Sequence, residues 1–142
     1  MKQNITAKAT LTVHAPASKV WDALTKPELI KQYFLGTTVV TDWKVGSPIY
    51  YRGEWQGRSY EDKGKIVEVQ PKKRLVSTHW SPLAGVPDSP ENYHTVTYTL
   101  SEHDGNTDVT ILQDNNASED EKLHSEEMWK TVLSGLKKLL ES

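Results

Sequence analysis

The sequence predicts an α+β fold in two layers: one curved antiparallel sheet, a pair of short helices inserted after its first strand, and a long C-terminal helix packed across it. Three observations carry that prediction. The chain begins with an alternating apolar and polar segment, its middle reads as short strands separated by turn signals, and it ends in a capped amphipathic segment.

The first element is "ITAKATLTVH", Ile5 to His14. Ile5, Ala7, Ala9, Leu11 and Val13 fall on one face and the polar residues on the other, the period of a strand with one buried face. "APASKVWDALTKP" follows, with Pro16 suited to the first turn of a helix and Ala17, Val20, Trp21 and Leu24 at helical spacing. Pro27 stops that helix and opens a second, "PELIKQYF", with Leu29, Ile30 and Tyr33 facing inward. From Thr37 to Asn115 the strand-like segments are "TTVVTDW", "SPIYYRGEW", "SYEDKGKIVEVQ", "RLVSTHWS", "NYHTVTYTLSE" and "TDVTILQDN". Short turns join most of them, including the Asp-Gly signal of "HDGN", so the pairing is antiparallel, because parallel pairs need long crossovers. The exception is Pro82 to Glu91, "PLAGVPDSPE", whose three prolines forbid regular structure.

The C-terminal helix is the clearest element. Ser118 and Glu121 make a capping box that opens a helix running to about Glu141. Acidic residues crowd its first turn, Lys137 and Lys138 lie in its last turns, and both choices suit the helix dipole. Trp129, Val132, Leu133, Leu136, Leu139 and Leu140 form one apolar stripe. A helix of this length reaches about 35 Å, enough to cross a sheet.

Composition narrows the function classes. The 142 residues are expected to form one domain, 1–142, and a net charge of −2 supplies no basic footprint for nucleic acid. With no cysteine, disulfides, thiolate metal sites and cysteine nucleophiles are excluded. "MKQNITAKAT" lacks the apolar core of a secretion signal and no segment is long and apolar enough to insert in a membrane, so the expected location is the cytoplasm. Five Trp and six Tyr stand against one Phe, so most large rings carry a polar tip that requires a partner when buried.

The order of elements resembles the helix-grip fold of the START-like (SRPBCC) superfamily, and within it the proteins related to the C-terminal domain of the activator of heat-shock-protein-90 ATPase. The carriers are "HAPASKVWDALTKPELIKQYF", "DWKVGSPIYY", "GKIVEVQPKKRLVSTHW" and "MWKTVLSGLKKLLE". The family's usual D-x-R-x-G-G becomes Asp42-Trp43-Lys44-Val45-Gly46-Ser47, and Tyr33 and Phe34 stand where tryptophans are common. None of these motifs is catalytic; each marks a turn, a cap or a packing position. The resemblance implies a cavity between the long helix and the concave face of the sheet, used by members for apolar molecules, with surface contacts to proteins in others.

Candidate cavity residues follow from strand parity. Ile49, Tyr51, Gly53 and Trp55 share one face, and Gly53 between two rings reads either as a gap in a pocket wall or as a bulge that bends the sheet. His94, Val96, Tyr98 and Leu100 share a face on the sixth strand. His79 and Trp80 point to opposite faces of the fifth, so one of them reaches the cavity; Trp80 is carried as the candidate. Either histidine reads as a ligand partner or proton carrier, or as a core or edge histidine satisfied by its neighbours. Trp129 heads the helix stripe, to seal the cavity or to fill the core. Tyr33, Phe34 and the stiff Pro82–Glu91 loop form the expected rim. The expected lining is thus Tyr33, Phe34, Tyr51, Trp55, Trp80, His94, Tyr98 and Trp129, with no catalytic, cofactor or metal residue.

The expected function is binding of a small, largely apolar ligand, lipid-like or aromatic, in that cavity. The alternative is a protein-interaction module related to chaperone ATPase activation. A third reading is a cyclase- or hydrolase-type enzyme with His94, Tyr98 or Glu54 as acid–base groups.

Overall fold

A computed structural model describes residues 5–34, 36–55, 57–82 and 85–141, with Trp55 described by its backbone alone. Its architecture is the one the sequence predicts. The strands are β1 (Ile5–Val13), β2 (Thr38–Val40), β3 (Pro48–Trp55), β4 (Arg58–Gln70), β5 (Arg74–His79), β6 (His94–His103) and β7 (Asn106–Asn116). The helices are α1 (Ala17–Thr25), α2 (Pro27–Tyr33) and α3 (Glu119–Glu141), and a 3-10 turn covers Pro90–Asn92. All seven strands form one antiparallel sheet in the order β1-β7-β6-β5-β4-β3-β2.

That order places β1 and β2 at opposite edges. The chain must therefore cross the whole face of the sheet between them, and α1 and α2 are the crossing. Pro16 sits just outside α1 as its N-cap, with no side-chain cap of its own. The Glu102 carboxylate of β6 instead accepts the Ala17 N–H at 2.6 Å, fastening the helix start to the sheet. The Tyr33 hydroxyl donates to the Ala23 carbonyl at 2.6 Å and ties α2 back to α1. Gly135 lets α3 approach this pair, because a Cβ there would lie 3.3 Å from Tyr33.

At the start of α3 the Ser118 half of the expected capping box is formed, and Glu121 reaches back one residue further than the N-cap. The Ser118 hydroxyl accepts from the Glu121 N–H at 3.1 Å, and the Glu121 carboxylate accepts from the Ala117 N–H at 3.0 Å. The helix buries Ser125, Trp129, Val132, Leu133 and Leu136, chiefly over β1 and β7. A polar knot anchors it there. Trp129 Nε1 donates to Gln113 Oε1 at 2.8 Å, and Gln113 Nε2 donates to Asn116 Oδ1 and Ser125 Oγ at 3.1 Å each. Asn116 Nδ2 in turn donates to the carbonyls of Ile5 and Gln113. Every group in the knot is buried and partnered, the condition under which a buried polar network rigidifies a core.

Candidate functional site

On the concave face a small cavity lies under α2 and the turn before β3. Leu24 of α1 and Ile30 and Tyr33 of α2 form its roof, with Phe34 and Trp43 beside them. Val39, Ile49 and Tyr51 close one side, and Leu75, Ser77 and Tyr98 form the floor. Its volume is about 20 Å³, little more than one water molecule needs. The rings pack on one another: Phe34 stacks on Tyr51 at 6.4 Å and meets Trp129 edge-on at 5.7 Å, while Tyr98 meets Trp129 edge-on at 6.0 Å.

Two expectations change here. No α3 residue lines the cavity, because α3 covers the β1–β7 side of the sheet and the helical pair covers the rest. The interior is also nearly filled, since the rings that were to border an open space interlock across it.

Of the eight expected lining residues, Tyr33, Phe34, Tyr51 and Tyr98 meet at this cavity. Trp129 stands behind it, touching Phe34 and Tyr98. Trp80 is elsewhere. It stacks on Tyr93 at 6.4 Å, Lys63 Nζ lies 5.8 Å from its ring, and its Nε1 donates to the Val86 carbonyl. Of His79 and Trp80 it is His79 that turns toward the cavity wall, where its ring meets Tyr51 edge-on at 5.4 Å. His94 lies beyond the cavity, directly paired with His79 across the strands. One ring nitrogen of His94 is 2.8 Å from the Asp114 carbonyl and the other 3.5 Å from the Glu121 carboxylate. The side chain of Trp55 lies outside the described residues. Glu54 alternates out of phase with Tyr51 and is exposed, so Glu54, His94 and Tyr98 are not brought together as an acid–base set.

Gly53 is neither a gap nor a bulge. The β3–β4 register runs unbroken through it, and the ring of its cross-strand partner Tyr60 lies over it. A Cβ at Gly53 would fall 2.5 Å from the Tyr60 hydroxyl, which pairs with Thr37 Oγ1 at 3.1 Å. This is a glycine covered by a neighbouring ring. The register breaks instead between Ile5 and Ala7 and between Ile66 and Glu68.

Sequence reasoning missed Trp43. Its backbone is in the left-handed region at φ 61, rare for a bulky residue, while its half-buried ring packs on the core at the cavity mouth. The signal was an aromatic immediately before the turn of "TDWKVGS". It also missed the Asp62–His79 pair, in which His79 Nε2 is 2.9 Å from Asp62 Oδ2.

Burial sets the electrostatics of the cavity. Desolvation, reinforced by neighbouring Tyr51, raises the Tyr33 hydroxyl well above the usual tyrosine range. Desolvation pushes Tyr51 up to about 12, with a Ser77 hydrogen bond opposing and the Asp62 charge adding to the rise. Tyr98 is raised by desolvation and by Tyr51 and Tyr33. All three are neutral hydroxyls at physiological pH. A second concavity, an open groove of about 580 Å³ on the sheet, is lined by threonines, Ser101, Asp108 and Leu11 and offers no ring. Among the described residues no cluster of three or more His, Asp or Glu side chains is placed to hold a metal ion, and no helix is long and apolar enough to cross a membrane.

The family model for "Activator of Hsp90 ATPase homolog 1-like protein" matches residues 14–141. The chain belongs to that family. A solved relative of this Activator of Hsp90 ATPase homolog 1-like chain is protein ChR145 from Cytophaga hutchinsonii, 50% identical over 99% of this chain and 97% of that one, with a TM-score of 0.86. The Aha1 dimer from Colwellia psychrerythraea has the same fold at 21% identity, covering 96% of each chain with a TM-score of 0.76. DynU16, a protein of the dynemicin biosynthetic locus, shares the fold at 20% identity and a TM-score of 0.80, over 96% of this chain and 47% of that one. No curated protein matches the chain.

Proposed function

We propose that the protein binds a small, largely apolar, ring-bearing molecule at the cavity under α2, and that Trp43 is the ring that gives way to admit it. A pocket for such a molecule holds about 300–1,000 Å³, so the closed cavity must open. The observation that supports this reading is the conformation of Trp43 itself. A tryptophan at φ 61 stores strain of about 1–2 kcal/mol, and the cost is met only while its ring stays packed. Release of that strain offsets part of the opening cost. Phe34, half-buried just past the end of α2, is the second movable ring. The polar tips of Tyr51 and Ser77 then orient the ligand.

The test is a tryptophan-fluorescence titration with native mass spectrometry against a panel of lipids and aromatic compounds. Binding with a change in Trp43 emission is expected, and Trp43→Gly, which removes ring and strain together, should accelerate association. Silence across the panel in both measurements refutes the reading.

A second reading has its own observation. The outer edge of β2 carries no strand partner among the described residues, and Val40 and Val45 beside it are 42% and 66% exposed. An unpaired edge with apolar side chains suits a polypeptide partner, for which the family description suggests a chaperone. Pull-down of the host's own Hsp90-type chaperone, lost on Val45→Lys, is the expected result; no capture at micromolar protein removes this reading.

A further inference from the structure

The Asp62–His79 pair stands behind the ring packing of the cavity, touching it where the His79 ring meets Tyr51. Asp62 is the direct cross-strand partner of Tyr51, and His79 follows Ser77 by two residues on the same face of β5. Tyr51 and Ser77 both line the cavity, so the pair adjoins its wall. The Asp62 side chain is 14% exposed and that of His79 31%. One carboxylate oxygen, Oδ2, accepts from His79 Nε2 at 2.9 Å. The other, Oδ1, is the one buried side-chain polar atom without a partner among the described residues. A buried acceptor left unpaired is among the costlier features a fold retains, and native proteins keep few of them.

The hydrogen bond also fixes the chemistry of the histidine. A carboxylate oxygen only accepts, so Nε2 carries the proton, and in the neutral ring Nδ1 is an acceptor. Nδ1 has no partner among the described residues and is not among the buried unpaired atoms, so it has accessible surface. One buried unused acceptor, Asp62 Oδ1, therefore stands next to a wall of aromatic rings, while His79 Nδ1, on the far side of the imidazole from Asp62, leaves the histidine's role as that of holding the carboxylate.

We propose that Asp62, held in place by His79, forms the polar end of the ligand site and accepts a hydrogen bond through Oδ1 from a hydroxyl carried on an aromatic ring, so that the preferred ligand class is a phenol. The inference rests on the cavity reading above and adds the group that selects among apolar rings. A neutral donor fits better than an ammonium, whose desolvation in a ring-lined space is costly. The ring of the ligand replaces contacts of Phe34 and Trp43, and its hydroxyl supplies the donor that Asp62 Oδ1 lacks.

The experiment compares 2-naphthol with 2-methoxynaphthalene at neutral pH, by calorimetry, on the wild-type protein, His79→Phe and Asp62→Asn. The two probes differ only in the donor hydrogen and its methyl cap. Wild type is expected to bind 2-naphthol roughly tenfold or more tightly than the ether, the scale of a hydrogen bond to a charged group. Asp62→Asn, which removes the charge from the acceptor, should bring the ratio toward one, and His79→Phe, which keeps a ring against Tyr51 but no longer holds the carboxylate, should reduce it. Should His79→Phe fail to fold by near-UV circular dichroism, the asparagine variant carries the comparison. Equal affinity for both probes in the wild type overturns this assignment and leaves the cavity reading standing, as does a ratio that survives both substitutions. Failure of both probes to bind overturns the assignment, and silence across the wider panel overturns the cavity reading with it.

Discussion

Replacing Gln113 by leucine tests whether the polar knot under α3 holds the helix to the sheet. The substitution deletes three hydrogen bonds and strands one buried donor, Trp129 Nε1–H, in a residue that is 4% exposed. The stranded indole N–H costs about 1–3 kcal/mol and the two lost donations about 1 kcal/mol each. The added apolar group returns about 1 kcal/mol. The expected net loss is thus about 2–4 kcal/mol, a large share of the 5–15 kcal/mol typical of a whole domain. Urea unfolding followed by circular dichroism reads it as a lower midpoint at unchanged slope. The Trp129→Phe partner removes the donor, so the double variant should cost about 1–2 kcal/mol less than the sum of the singles. A loss below about 1 kcal/mol, or strict additivity, would refute the claim that these groups act as one network.

Further outcomes concern the sheet and its buried hydroxyls. Gly64→Ala should destabilise the protein severely, because the new Cβ would lie 1.7 Å from the Thr78 carbonyl and would force β4 from β5. Gly53→Ala should be the milder change, since the atom it meets is the tip of Tyr60; equal denaturation midpoints for the two variants would contradict this contrast. In alkali, Tyr33, Tyr51 and Tyr98 hold their protons above the ordinary tyrosine value of 10 while the unfolded chain loses them. Their contribution is therefore complete below pH 10 and is lost as pH rises from there, through about 12 for Tyr51 and at still higher pH for Tyr33 and Tyr98. Phenolate absorbance and unfolding midpoints across that window check the sign, and a midpoint that rises with pH would reverse it.

Much of the fold could be read in advance because its signals are local. The alternation of β1, the Asp-Gly turn before β7 and the Ser118–Glu121 cap each lie within a few residues and need no knowledge of the partner strand. The site was harder, because its geometry depends on register. Parity alone left His79 and Trp80 undecided, since Leu75, Val76 and Ser77 are all buried and neither face of β5 announces itself as the inner one. Gly53 made sense only once Tyr60 was known to lie opposite it. The size of the cavity depends on how Phe34, Tyr98 and Trp129 interlock, and no pattern of types along a chain encodes that volume. His94 shares a face with Tyr98 yet is occupied by Asp114 and Glu121, a partnership between distant segments.

The pairing of β1 with β7 has a consequence for how the protein comes into being. On the ribosome β1 waits without its partner until β7 has emerged, and α3, which shelters it, arrives later still. Contacts between the two ends span well over a hundred positions, as the bond from Lys137 to the Thr12 carbonyl illustrates. The other strand pairings join consecutive strands and close locally, so the β1–β7 seam is the slow, long-range step. Loss of the final turns of α3 would remove the bonds from Lys137 to Thr12 and from His14 to Glu141 and uncover the far end of β1, while Glu126 would still hold Lys8.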